Sequence, residues 1–368
     1  MPAFKMQNFL PWLVFIATAV LILFLHFDWK LQTTPADGAL YLVFPQGIYL
    51  MPILWMIILC VPVIWIYFHQ DKFHLPEVPP RFSSKRFIIS FTLIYALVLV
   101  FRTFIIWQYN GPYEKLPIIL FFFLFTLLVD QVPLSYYGLH GQTWRKDLLY
   151  VGYFCLIFLL LLFPLILIVG IVFASQVAVI LTQLVVPNGL ILISFPFQIV
   201  AVGISEEFMF RGYLYGNCRR SDPNPNRVHV LGWMFLASLI FGLFHIPWYV
   251  SYSSETLFTI LPTNVLPMIG RVVWTGAFGF IMCLIFEHTN SLLITALLHG
   301  VSNTLGSFVG SAFLNVNLSI LDTITWDQVV LFSVIIIGPL IVLLTLFLKL
   351  PRFLAHRMGY MGFQVKVV

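Results

Sequence analysis

Long apolar runs separated by short polar breaks set the pattern of this chain. The runs fall at about 9–27, 48–68, 87–107, 117–130, 148–173, 190–212, 228–247, 267–286, 291–313 and 329–349. A run of about 20 apolar residues matches a hydrocarbon core about 30 Å thick, so each run predicts a membrane helix. The fourth is short and closes on Asp130 and Pro133, which suits a half-spanning helix. The expected fold is therefore all-α: a polytopic transmembrane helical bundle of about ten spans, with about nine and about eleven as the bracketing alternatives. Helix breakers separate the runs, among them Asn110-Gly111-Pro112, Pro187-Asn188-Gly189 and the Asp222 to Asn226 turn. Neither an internal repeat nor a low-complexity segment is visible.

Composition strengthens this picture. The chain is 61% hydrophobic and 9% charged with a mean hydropathy of +0.99, whereas a typical soluble domain is about a quarter charged. The first run follows Lys5 alone and has no small-residue cleavage site behind it, so it reads as a retained helix and not a signal peptide. Cys60, Cys155, Cys218 and Cys283 lie far apart, show no metal or redox spacing, and read as small packing residues.

Charge supplies the orientation, because Lys and Arg are kept on the cytoplasmic side. With ten spans and a cytoplasmic N-terminus, 15 of the 19 basic residues are cytoplasmic, and Lys30, Arg102, Lys115 and Arg271 are not. Both termini and the Arg219-Arg220 hairpin are then expected inside. The formal charge of +5 follows from topology and attraction to anionic lipid, with no nucleic-acid partner.

Ionisable residues inside apolar helices are costly, about 2.5 to 3.5 kcal/mol each at the bilayer centre, and so point to function. Three clusters stand out. In Glu206-Glu207-Phe208-Met209-Phe210-Arg211, Glu207 and Arg211 share a helix face and can pair, while Glu206 points about 100° away, available for another task. In Phe241-Gly242-Leu243-Phe244-His245, the histidine sits near a helix end before Pro247. Glu206 and His245 are about equally far from the intervening turn, which an antiparallel hairpin would bring to one depth. In His299-Gly300-Val301-Ser302-Asn303, the four-residue spacing stacks His299 and Asn303, and Gly300 and Gly306 permit close approach of a helix or a substrate backbone. A hydrolase needs a base for water and donors for an oxyanion; Glu206 with His245 can supply the first, His299 with Asn303 the second. For each cluster taken alone, polar glue between helices is the competing reading.

The three clusters resemble the EExxxR, FxxxH and HxxxN motifs of the type II CAAX prenyl endopeptidases and their bacterial relatives, the CAAX-protease and bacteriocin-processing family. The likeness covers about residues 145–310. It implies a membrane-embedded endopeptidase in which Glu206 and His245 activate water, His299 and Asn303 hold the oxyanion, and Glu207 with Arg211 support the site. It also divides one integral domain into N-terminal helices at 1–144, a catalytic helical core at 145–310, and a final helix with a basic cytoplasmic tail at 311–368. No cofactor is expected. Zinc is the alternative, with Glu206, His245 and His299 as its ligands. The expected partners are membrane lipid and a hydrophobic or lipidated peptide: a prenylated CAAX tail in a eukaryote, or a leader peptide, bacteriocin or membrane regulator in a bacterium.

The remaining polar residues read as scaffold. Arg102 and Arg271 are expected to snorkel to the interface, and Asp130 to close a short helix. The Phe121-Phe122-Phe123 run is expected to face lipid, and Glu287 and His288 to lie in a short turn solvated by water. Asn317-Leu318-Ser319 is a glycosylation sequon. A membrane immunity or regulatory protein that keeps the fold without catalysis is the rival function. A transporter is disfavoured by the missing repeat.

Overall fold

A computed structural model describes residues 60–73, 75, 84–109, 114–172, 198–222, 226–250, 260, 262–314 and 345–363. Among these every regular element is helical. The expected run at 9–27, the Pro187-Asn188-Gly189 breaker, the sequon at Asn317 and most of 329–349 lie outside them. In chain order the helices are α1 (60–68), α2 (Ser84–Tyr109), α3 (Lys115–Leu124), α4 (Trp144–Val172), α5 (198–221), α6 (Arg227–Leu243), α7 (Pro262–Thr289), α8 (Leu292–Leu314) and α9 (345–357). Three stretches are long and apolar enough to cross a membrane among the described residues: Phe87–Ile106, Arg227–Tyr249 and Asn264–Thr289. They coincide with three of the expected spans.

The chain divides into two compact units, Met1–Tyr137 with Ile246–Val265, and Gly138–His245 with Leu266–Val368. In the first, α2 has two faces. Phe87, Phe91, Ile94, Val98, Arg102 and Ile105 point inward at three- and four-residue steps, while Ile89, Leu93, Leu97 and Val100 are exposed, the two stripes of a helix with one face toward lipid. Arg102 belongs to the inward stripe. It is buried and pairs with Glu114, beside which Lys115 Nζ lies at 3.1 Å, and its guanidinium stands 6.0 Å from the Trp248 ring. The expected interface anchor is thus an internal ion cluster, because its register on α2 faces protein. Arg271 is exposed.

Helix α3 runs into a π-helical turn, Phe125–Asp130, which stops at Gln131 in the left-handed region (φ 55°). Asp130 closes this short helix, accepting a hydrogen bond from the Tyr137 hydroxyl at 3.1 Å. Phe121, Phe122 and Phe123 are buried, against the expected lipid contact. A helix apolar on all sides is packed on all sides, and nine residues of α3 are buried.

In the second unit, Asn226 caps α6 by accepting from His229 N–H at 2.8 Å, a bond worth about 1 kcal/mol to a helix. Asn290, at φ 47°, turns the chain from α7 into α8; asparagine tolerates this left-handed conformation. The Leu292 N–H then donates to Gly138 O at 2.8 Å. Buried Asp147, in the first turn of α4, accepts from the hydroxyls of Thr143 and Ser291, both at 3.0 Å. The α4 start and the α7–α8 turn are therefore tied at one carboxylate.

Candidate active site

Helices α5, α6 and α8 bring the three motifs together. Helix α5 is mostly π-helical: Gln198–Gly203 and Phe208–Tyr215 have the wide turn, and only Ile204–Glu207 between them is α-helical. π-turns are rare and cluster at functional sites, since each inserts a residue and re-aims its neighbours. The glutamate pair occupies the short α-helical piece.

The first half of α5 runs antiparallel to α8. A Cβ added at Gly203 would lie 2.4 Å from Ala296 O, and one added at Gly300 would lie 2.8 Å from Ile199 Cα. The paired positions 203/296 and 199/300 step in opposite directions along the two chains. Glycine is required at both because backbone meets backbone there. Close approach at Gly300 was expected; the partner is another helix of this chain.

This contact sets His299 between the two glutamates. Its Nδ1 donates to Glu207 Oε1 at 2.7 Å, and its Nε2 faces Glu206 Oε2 at 3.5 Å. Glu207 also pairs with Arg211, Nη1 to Oε1 at 3.1 Å, as the four-residue spacing predicts. All four residues are buried, with exposures of 3% or less. The expectation that Glu206 turns away from its neighbour's partners needs correction. An imidazole carries nitrogens on two edges, so one ring can meet carboxylates that diverge by about 100° on their own helix.

Phe241 assembles the remaining parts. The rings of His245 and His299 meet it edge-on, with centroids 5.0 and 5.9 Å away, and the Arg211 guanidinium stacks 4.4 Å from its centre. His245 Nδ1 donates to Phe241 O at 3.0 Å. A carbonyl only accepts, so the neutral ring carries its proton on Nδ1 and presents Nε2 as the acceptor nitrogen. Asn303 donates from Nδ2 to Gln198 Oε1 at 3.3 Å. Phe278 covers His299 from α7, with ring centroids 5.1 Å apart.

Several of these residues escape motif reading. Gln198 has a signal, a lone amide in an apolar run one residue before Ile199. Phe278 and buried Cys283, which lies against Ser238 and Arg211, have none, since aromatic and thiol side chains are common in any membrane helix. Glu287, expected in a solvated turn, instead accepts from the Tyr215 hydroxyl and Arg219. Helix α7 continues through it to Thr289, and so carries it against α5. Among the described residues no set of three His, Cys, Asp or Glu side chains is gathered so as to hold a metal ion.

Buried carboxylates and imidazoles, gathered where α5 and α8 meet the membrane-length stretch Arg227–Tyr249, define a polar site of membrane-protein type. Residues 187–305 match the family model of the type II CAAX prenyl endopeptidase Rce1-like proteins. The match covers about a third of the chain, lies within the 145–310 stretch carrying the resemblance, and contains all three motifs. This segment is thus similar to a CAAX-protease-type domain, and the apolar helices mark the chain as an integral membrane protein. No curated protein and no solved structure matches the chain.

Proposed function

We propose that the protein is an intramembrane endopeptidase of about ten spans with cytoplasmic termini, hydrolysing a peptide bond in a hydrophobic or lipidated substrate without a metal. The observation that carries this reading is His299 held between Glu206 and Glu207, with His245 beside it across Phe241.

In the proposed reaction Glu206 takes a proton from water as the water oxygen attacks the scissile carbonyl carbon. His245 Nε2 accepts a hydrogen bond from the same water and orients it. The carbonyl π pair moves onto oxygen. That oxyanion receives hydrogen bonds from the Asn303 amide and from Nε2–H of His299, which works as the imidazolium between its two carboxylates, while its Nδ1–H stays on Glu207. Collapse breaks the C–N bond, and the leaving amine takes its proton from Glu206. Glu207 and Arg211 keep the histidine in place throughout.

Purified wild type and Glu206→Gln, incubated with a library of membrane-embedded and prenylated peptides, test the reading. Wild type is expected to cleave, with the rate unaffected by chelator, and Glu206→Gln to lose cleavage by at least about 100-fold, the scale of a general base. Loss on chelation with return on zinc addition would assign Glu206, His245 and His299 to a metal instead. Binding without cleavage in both proteins would favour the regulatory rival.

A further inference from the structure

Outside the motifs, a polar cluster gathers where α5 ends. Glu287, near the end of α7, accepts from the Tyr215 hydroxyl at 2.6 Å and from Arg219 Nε at 3.1 Å. Its backbone oxygen accepts from Phe363 N–H at 3.1 Å. Arg219 Nη2 donates to Phe363 O at 3.4 Å, and the Arg219 and Arg220 guanidinia stand 5.8 and 4.9 Å from the Phe363 ring. Phe286 packs on the same ring at 5.3 Å. Gly362 makes the approach possible: it adopts φ +59°, and a Cβ there would lie 2.7 Å from Glu287 O. Just upstream, Tyr360 donates its hydroxyl to buried Asp147 at 2.7 Å under the ammonium of Lys146, 3.9 Å from its ring centre. The tail at 359–363 thus touches α4, α5 and α7 together. Burial, and then the charge of Glu287, hold the Tyr215 hydroxyl above the ordinary phenol range, so it remains a donor.

We propose that this tail, seated on Glu287 of α7, is a positioning strap for the active site: it anchors the C-terminal half of α5 to α7 and thereby sets the register in which Glu206 and Glu207 meet His299. The proposal rests on the peptidase reading for its catalytic consequence alone. Its physical basis is the π-helical stretch Phe208–Tyr215 between the glutamates and the clamp. A wide turn of a rare type is held by what packs on it, and Tyr215, its last residue, is where the strap takes hold.

The test uses full-length protein in lipid nanodiscs with three changes: Glu287→Gln, a stop after Met358, and the charge swap Arg219→Glu with Glu287→Arg. Hydrolysis of a quenched membrane peptide and hydrogen exchange over 204–215 are read side by side. Glu287→Gln and the truncation are expected to lower kcat at least about tenfold, or about 1.4 kcal/mol of barrier, with KM little changed and exchange over 204–215 raised. The charge swap is expected to regain part of both. Unchanged kcat and exchange would overturn the strap. So would a loss accompanied by a general fall in melting temperature that the swap fails to relieve. If wild type cleaves nothing, the peptidase reading fails, and the exchange data decide the strap alone.

Discussion

Glu207 has two partners in the buried site, Arg211 and His299, whereas Arg211 is held both by that carboxylate and by the face of Phe241. Removing one member of a buried ion pair costs about 3 to 5 kcal/mol because the other charge is stranded. Arg211→Ala is expected at the low end of that range, since His299 still donates to Glu207. Replacing Glu207 by Gln and Arg211 by Met together should recover part of the loss, because neither charge is then left behind. Glu206→Gln should abolish cleavage and barely move the melting temperature, as the amide still fits beside His299. Melting curves of the detergent-solubilised variants decide. Equal destabilisation by Glu206→Gln and Arg211→Ala would show that both glutamates are structural.

At the scale of elements, the α5–α8 contact governs the site. Gly203 and Gly300 let two backbones meet about one and about two turns before the glutamates, and any Cβ there must push the helices apart. Gly203→Ala is expected to cost about 1 to 3 kcal/mol, the usual range for overpacking. It should also slow hydrolysis, because it moves Glu206 relative to His299. Gly232→Ala on α6, where nothing lies within 4 Å of the added carbon, is the control and should leave both unchanged. A Gly203→Ala protein with wild-type melting and rate would show that the helices are free to adjust. The motif spacings were legible in the sequence because they follow from 3.6 residues per turn. The π-turns on either side of the glutamates were not, since no residue in Gln198–Gly203 or Phe208–Tyr215 dictates a wide turn by itself.

For the whole molecule, the basic residues predict that the α5–α6 connection faces the cytoplasm. Arg227 is exposed at the start of α6. Arg227→Cys is expected to react with a membrane-impermeant maleimide in opened membranes and to be silent in intact cells, after subtraction of the wild-type cysteine signal. Labelling in intact cells would invert the topology and put the strap on the opposite side.

Residue chemistry and period alone determined the membrane character, the helical class and the three motifs, because apolar length and polar interruptions are local properties of the chain. Local spacing also determined the Glu207–Arg211 pair. Only the tertiary structure decided which way α2 turns Arg102, that Phe121 to Phe123 are wrapped by protein, and that one histidine spans both glutamates. It alone joined Phe363 to Glu287 across 76 positions of sequence. Lipid and protein interior are equally apolar, so an apolar side chain satisfies either, and only packing against neighbouring helices distinguishes them.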